Sequence, residues 1–206
     1  MIGFFANAIR SYRTTGAIAP SSQKLAAAMT KSIAEDKRAC RRILEVGPGT
    51  GAFTGAVLPH LRAGDVFDIV EINPVFAAAL EADTLAGFRA VNPDVALTLH
   101  TSAVEDAKLA GEYHHIICGL PFNNFPVSMV SLIFRRLMSL LQVDGDLVYF
   151  EYICMKAPKL MWIDPRVRRR TRRRVALSRA LDRRYAGVHD RVMWNLPPAH
   201  AIRLHR

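Results

Sequence analysis

Short apolar runs alternate along this chain with stretches of helical period, and Gly, Pro or a capping side chain marks most of the switches. Ile43 to Val46 reads as a first buried strand. Beyond Gly47-Pro48-Gly49-Thr50-Gly51, the run Ala52 to Leu61 reads as a helix. Val66 to Val70 is a second strand, after which Asn73-Pro74 supplies an N-cap and a first-turn proline for a helix from Val75 to Glu81. Val95 to His100 is the third strand and Thr101-Ser102-Ala103 its exit. His114 to Cys118 is the fourth strand, opening onto the segment Gly119 to Pro126. The long run Val127 to Leu141 is apolar at Val127, Val130, Ile133, Phe134, Leu137 and Leu141, which is helical spacing. Asp144-Gly145-Asp146 then turns the chain into a fifth strand, Leu147 to Cys154, with Tyr149 and Glu151 on one face and Phe150 and Tyr152 on the other. Arg191 to Leu196 and Ala199 to Leu204, joined at Pro197-Pro198, close the chain as an antiparallel hairpin.

Ahead of the first strand, Ile2, Phe5, Ile9 and Tyr12 recur at helical spacing over Ile2 to Arg13, and no acid precedes Glu35. Bulky apolar residues beside uncompensated Arg10, Arg13, Lys24 and Lys31 suit a helix lying in an anionic membrane interface. The same stripe equally suits a helix packed on its own domain. Pro20 ends an extended piece, and Ser21 or Ser22 caps a helix running to about Ile33.

The chemistry concentrates where strands end. Three glycines at alternate positions after an apolar strand let the backbone turn sharply and let a ligand lie against it. Glu45 stands two residues before the first of them, and Glu71 ends the second strand. A carboxylate at that point of an α/β unit can accept hydrogen bonds from both hydroxyls of a ribose.

Composition narrows the setting. A chain of 206 residues, half of them apolar, is one well-cored domain spanning 1–206, with 1–34 an amphipathic helix and cap segment. The formal charge of +10 is uneven: residues 166–184 hold ten Arg and one Asp, an Arg-rich insertion before the final hairpin. Such a run suits an anionic lipid surface, phosphate contacts on RNA, or a merely solvated face, and it lacks the aromatic platforms of single-strand binders. Cys40, Cys118 and Cys154 are scattered and the seven His show no paired spacing, so no metal site and a reducing compartment are expected. With no apolar run of about 18 residues and no charged region before the first apolar stretch, the expectation is a cytoplasmic protein associated peripherally with the inner face of the membrane.

The spacing G-x-G-x-G with its preceding Glu45, followed by Glu71, resembles the first motifs of class I S-adenosylmethionine-dependent methyltransferases. The runs Gly16-Ala17-Ile18-Ala19-Pro20-Ser21-Ser22, Glu45 to Gly51, Gly119-Leu120-Pro121-Phe122 with Asn124-Phe125-Pro126, and Trp194 to Ala199 are together similar to the bacterial phospholipid N-methyltransferases, across nearly the whole chain. That resemblance implies a Rossmann-like, seven-stranded and mostly parallel α/β sheet with a carboxy-terminal antiparallel hairpin and helices on both faces. It implies S-adenosylmethionine as cofactor, held by Glu45, Gly47, Gly49, Gly51, Glu71, Ser102, Ala103 and Gly119. It also implies methyl transfer to the amine of a membrane amino lipid such as phosphatidylethanolamine, with Tyr12, Leu120, Pro121 and Phe122 against the substrate. Ser102 departs from the Asp that the superfamily often carries there. Gly119 departs from the Asn of ribosomal RNA adenine N6-dimethyltransferases, which are otherwise one letter away in this motif.

An ethanolamine amine, like a lysine with a pKa of about 10.4, is mostly protonated at neutral pH, so something must take its proton or select its neutral form. Glu151, Tyr149, Tyr12 and His114 are the titratable candidates, and Asn123 and Asn124 could orient the amine. Glu151, Tyr149 and Asn123 are the expected catalytic residues. The rival expectations are an adenine N6-methyltransferase of RNA and a non-catalytic, cofactor-binding membrane or RNA adaptor.

Overall fold

The computed structural model describes residues 21–122, 125–153 and 165–206. The expected helix Ile2 to Arg13 with Tyr12, the residues Asn123 and Asn124, and Cys154 lie outside the described residues.

The first described helix, α1 (Gln23–Glu35), is capped by Ser22, whose hydroxyl accepts from the Leu25 amide. It buries Leu25, Met29 and Ile33 at helical spacing. Then follow β1 (Arg42–Val46), α2 (Ala52–Val57) with a 3-10 turn at Leu58–His60, β2 (Val66–Val70) and α3 (Pro74–Leu80). Asn73 caps α3 by accepting from the Val75 amide. The helical path does not stop at Glu81 as its sequence suggests: a π-helical stretch, Glu81–Leu85, leads into α4 (Ala86–Val91). Leu85 is fully buried, and its packing carries the backbone past the weak helix formers Asp83 and Thr84.

β3 (Ala96–His100), β4 (Tyr113–Cys118), α5 (Val127–Leu140), β5 (Leu141–Tyr152), α6 (Pro165–Arg184), β6 (Val188–Val192) and β7 (Ala199–His205) complete the chain. The strands form one seven-stranded sheet in the order β3-β2-β1-β4-β5-β7-β6, in which β7 alone runs against its neighbours. The expected mostly parallel sheet with a terminal antiparallel hairpin is therefore present. Two boundaries differ. β5 starts directly from α5, and the expected Asp144-Gly145-Asp146 turn is an irregularity inside the strand, where the register on β4 shifts and Asp144 has φ 63°. β6 lies three residues earlier than expected, so Met193 to Leu196 belong to the connection and not to the strand.

Alternation along the central strands divides the core in two. Leu44, Val46, Ile116, Cys118, Leu147 and Tyr149 face α5 and the inner side of α6. Ile43, Phe67, Ile69, Ile117, Val148 and Phe150 face α1 and α2. Each fully buried Leu, Ile or Phe contributes roughly 1.5–3 kcal/mol. The Arg-rich segment is the helix joining the parallel part of the sheet to its closing hairpin, with Leu177, Leu181 and the following Tyr185 packed on the first of these cores.

Candidate functional site

The sheet order reverses between β1 and β4, and a crevice for a ligand opens at the carboxyl ends of strands flanking such a point. Two backbone hydrogen bonds extend the ladders past the strand ends and draw the exits together: Gly47 donates to Val70 O at 2.9 Å, and Gly119 donates to Val46 O at 2.8 Å. The result is close approach of main chain to main chain. A side chain at Gly119 would place its Cβ 2.4 Å from Gly47 O, and one at Gly47, itself at φ 73°, would meet the Leu120 side chain at 2.6 Å. Gly49 and Gly51 also have positive φ, and nothing lies within 4 Å of a Cβ built on Gly49. The loop thus leaves open space above a bare backbone.

The two acids expected at this edge are both there. Glu71 is 5% exposed, and its carboxylate accepts from Gly49 N at 3.0 Å and from Asn73 N at 2.8 Å, tying the glycine loop to the start of α3. Each carboxylate oxygen keeps capacity for another donor. Glu45 is fully buried and accepts from Thr54 Oγ1 at 2.8 Å through Oε2, while its Oε1 has no hydrogen-bond partner among the described residues. Burial pushes the Glu45 carboxyl up to about 8; the Thr54 hydroxyl opposes this, and the nearby Glu71 charge adds to it. Ser102, at the exit of β3, also has a buried hydroxyl oxygen without a partner. Ala103 beside it receives the Asp106 and Ala107 amides on its carbonyl. Buried polar atoms left unpaired are uncommon. Two at one sheet edge, beside a bare glycine loop, fit a ligand offering several hydrogen-bonding groups.

On the other side of the reversal, Tyr149 pairs with Cys118, so Glu151 stands beyond the carboxyl end of β4, next to the Gly119–Pro121 exit. Leu120 and Pro121 are half-buried there. Phe122, expected against the substrate, is 1% exposed and packs with Phe125, Phe134 and Tyr149 at ring-centroid distances of 6.4, 4.9 and 5.8 Å. Its visible work is to anchor the loop. A small cleft of about 10 Å³, room for about one water, lies between this aromatic group and α6, and Glu151, Arg174 and Ser178 give it polar walls. Burial pushes Glu151 up, the Arg174 charge opposing. Burial also raises the Tyr149 phenol, and the Glu151 charge adds to that. His114, the remaining titratable candidate, starts at the opposite edge, where its Nδ1 accepts from Arg42 N at 2.9 Å, so it stands apart from the site.

Thr54 is a site residue that the sequence reading did not single out, and Asn73, read there only as a helix cap, also donates its backbone N–H to Glu71. The signal for Thr54 was present: three residues into a helix that starts at the last glycine, its side chain faces back onto the strand that carries Glu45. Among the described residues, no helix is long and apolar enough to cross a membrane, and no three His, Cys, Asp or Glu side chains group as metal ligands.

No family model matches the chain, and no curated protein sequence matches it. Solved structures do, and at identities that speak for fold alone. The chain is similar to the CurJ carbon methyltransferase, with TM-score 0.62 and 16% identity over 89% of this chain and 53% of that one. It thus spans about half the length of that protein. It is also similar to the O-methyltransferase TomG of Streptomyces achromogenes, involved in tomaymycin synthesis and determined in complex with SAM, with TM-score 0.60 and 16% identity over 97% and 86% of the two chains. A third is an O-methyltransferase from Bacillus cereus in complex with SAH, with TM-score 0.60 and 14% identity over 96% and 87%. The fold is the Rossmann-like fold of class I methyltransferases.

Proposed function

We propose that this protein is an S-adenosylmethionine-dependent N-methyltransferase that acts on the amine of a membrane amino lipid, phosphatidylethanolamine or a similar headgroup, from the cytoplasmic face of an anionic membrane. The observation that carries the reading is the junction of Gly47 and Gly119, which sets a bare-backbone ligand loop against the Gly119-Leu120-Pro121-Phe122 exit. The bound cofactor would supply an electrophilic methyl group on its sulfonium. Glu71 would hold its ribose hydroxyls, the backbone of Gly47 to Gly51 would lie along it, and Glu45 and Ser102 carry the unpaired oxygens that its remaining polar groups would meet. Ser102 in place of an acid still provides one hydrogen bond.

The chain's own contribution to the reaction is placement, because holding a nucleophile in line removes most of the entropic barrier. Leu120 and Pro121 would flank the acceptor nitrogen, and Glu151 is the described group best set to receive its proton, since burial makes its carboxylate a stronger base. The Tyr149 phenol, raised by burial, stays protonated and can donate or pack. A role for Asn123 or Tyr12 rests on sequence alone. The same junction weighs against an adenine N6-methyltransferase of RNA: an Asn at 119 would drive its Cβ into Gly47 O.

The test is to incubate the full chain and labelled S-adenosylmethionine with phosphatidylethanolamine vesicles and, separately, with ribosomal RNA. Label in the lipid fraction supports the proposal; label in RNA replaces it with the adenine reading. Cofactor binding with transfer to neither leaves the non-catalytic adaptor.

A further inference from the structure

A second feature shares the carboxyl edge of the sheet. Val192 at the end of β6 pairs with Ala199, and Ala199 pairs with Tyr152 at the end of β5, so the connection 193–198 projects from the same edge as the glycine loop and Glu151. Its apolar side chains are turned out to solvent: Met193 is 54% exposed, Trp194 78% and Leu196 79%. The latter two are the most exposed large apolar residues among those described. They are not on a loose end. Asn195, between them, is buried, accepts from Ser22 N at 2.8 Å and donates to Pro197 O at 2.7 Å, which pins the connection to the start of α1.

One cation touches this projection and others share its edge of the sheet. The Lys24 ammonium lies 4.9 Å from the Trp194 ring centroid. Arg174 of α6 reaches the Phe125 carbonyl and lines the cleft beside Glu151, which sets the preceding turns of α6, with exposed Arg168, Arg169, Arg172 and Arg173, toward this edge. An indole with its apolar body and polar N–H, beside a lysine and on an edge that also carries exposed arginines, suits the headgroup level of a bilayer. A protein partner fits less well, because one Trp of roughly 150–250 Å² with a Leu and a Met beside it falls short of the ~800 Å² per partner of a stable interface.

We propose that the 193–198 connection is a membrane wedge: Trp194, Leu196 and Met193 enter the interfacial layer of an anionic bilayer while Lys24 and the exposed arginines of α6 lie on its headgroups. The Gly119–Pro121 exit beside Glu151, where the acceptor nitrogen would sit, then faces the lipid surface. The choice of lipid as occupant rests on the proposed function.

The full chain has two Trp, so the Trp162→Phe variant leaves Trp194 as sole reporter. With phosphatidylglycerol/phosphatidylethanolamine vesicles, its emission should shift to the blue and be quenched by acyl-brominated lipid, with little change on phosphatidylcholine. Trp194→Ser with Leu196→Ser should lower vesicle partitioning about tenfold or more, given the burial free energy of such side chains, with cofactor affinity and thermal midpoint unchanged. A vesicle-bound protein whose Trp194 is not quenched overturns the wedge. So does blue emission already present without lipid that turns red on dilution or on deletion of residues 1–20, which would assign the surface to a second copy or to that segment. Methyl transfer to detergent-dispersed phosphatidylethanolamine separates the two ideas. Quenching without transfer sinks the proposed reaction and keeps the wedge; transfer from vesicles at the native rate in the double Ser variant does the reverse.

Discussion

The two edges of this sheet treat buried charge in opposite ways. At the amino edge, Arg41 is fully buried and every direction of its guanidinium is used: it bonds Asp65 at 2.6 Å, the Ile33 carbonyl at 2.8 Å, and the Asp36 and His60 carbonyls. Nearby, His115 bonds Asp36 at 2.7 Å. At the carboxyl edge, Glu45 and Ser102 each keep a buried oxygen with no partner among the described residues. The amino edge pairs its buried guanidinium on every side and holds the fold together there, although His115 Nδ1 and Arg42 Nε have no hydrogen-bond partner among the described residues, while the carboxyl edge leaves buried oxygens open beside a bare loop at some cost in stability. An unpaired buried polar group costs about 1–3 kcal/mol, a sizeable share of a domain's 5–15.

The largest break in that contrast should come from the satisfied edge. Arg41→Met leaves the Asp65 carboxylate buried beside unpaired carbonyls and should cost about 3–5 kcal/mol in urea unfolding, whereas Arg41→Met with Asp65→Leu should cost clearly less. A loss below about 1 kcal/mol in the single variant would mean that water replaces the guanidinium. Next is Gly119→Ala at the junction of the exits, where the 2.4 Å approach to Gly47 O forces the backbones apart. About 1–3 kcal/mol of stability and most of the cofactor affinity should go with it. Native affinity by calorimetry would show that the junction does not shape the ligand loop. Smaller still, Glu71→Ala should weaken S-adenosylmethionine binding by ~1–3 kcal/mol and barely move the unfolding midpoint, since Asn73 N and Gly49 N are near enough to the surface to be hydrated. Unchanged affinity would remove Glu71 from the site.

The contrast also explains what the sequence displayed and what it hid. β1, β2 and the glycine loop were legible because both strands are nearly unbroken apolar runs ending in residues with one steric purpose, and the acid at each strand end follows from position alone. The Arg41–Asp65 pair was hidden: an arginine before a strand reads as a charged flank, and its burial depends on α1, the 3-10 turn and β2 closing over it together. β6 was misplaced because, as the edge strand Val188–Val192, it is mostly polar, while Met193 and Trp194 have strand-like composition but stand exposed in the connection. Their exposure marks the proposed wedge, and local composition pointed the other way. The cleft beside Glu151 was half legible. Strand alternation put Tyr149 and Glu151 on one face, but Arg174 and Ser178 reach it only because the Arg-rich run forms a helix packed on the core.

The finest test of the contrast is pH, where the two edges pull in opposite directions and the native chain shows only their difference. Glu45 has its folded pKa raised from 4.5 to about 8, chiefly by burial, so between these values the folded state holds a proton that the unfolded state has lost. Its contribution to stability is complete below about pH 4.5 and declines as pH rises to about 8. His115 is lowered from 6.5, chiefly by burial against the opposing pull of Asp36, and His114 and His200 are lowered by burial too. For these the unfolded state takes up the extra proton, so their contribution falls as pH drops through 6.5. Asp65 is buried and Asp36 half-buried as well, but hydrogen bonds from Arg41 and Arg38 outweigh burial and hold both below the usual carboxylate range, so their share is lost only under about pH 4. From pH 5 to 6.5 the glutamate and histidine slopes therefore oppose one another, and urea midpoints of the native chain should change little. Glu45→Gln removes one of the two. Its midpoint should climb more steeply from pH 5 to 6.5 and then stay level to pH 8, where the native chain declines. Parallel profiles for variant and native chain would show that Glu45 is ionised in the folded state, with a water or a displaced side chain serving the oxygen that stands unpaired here.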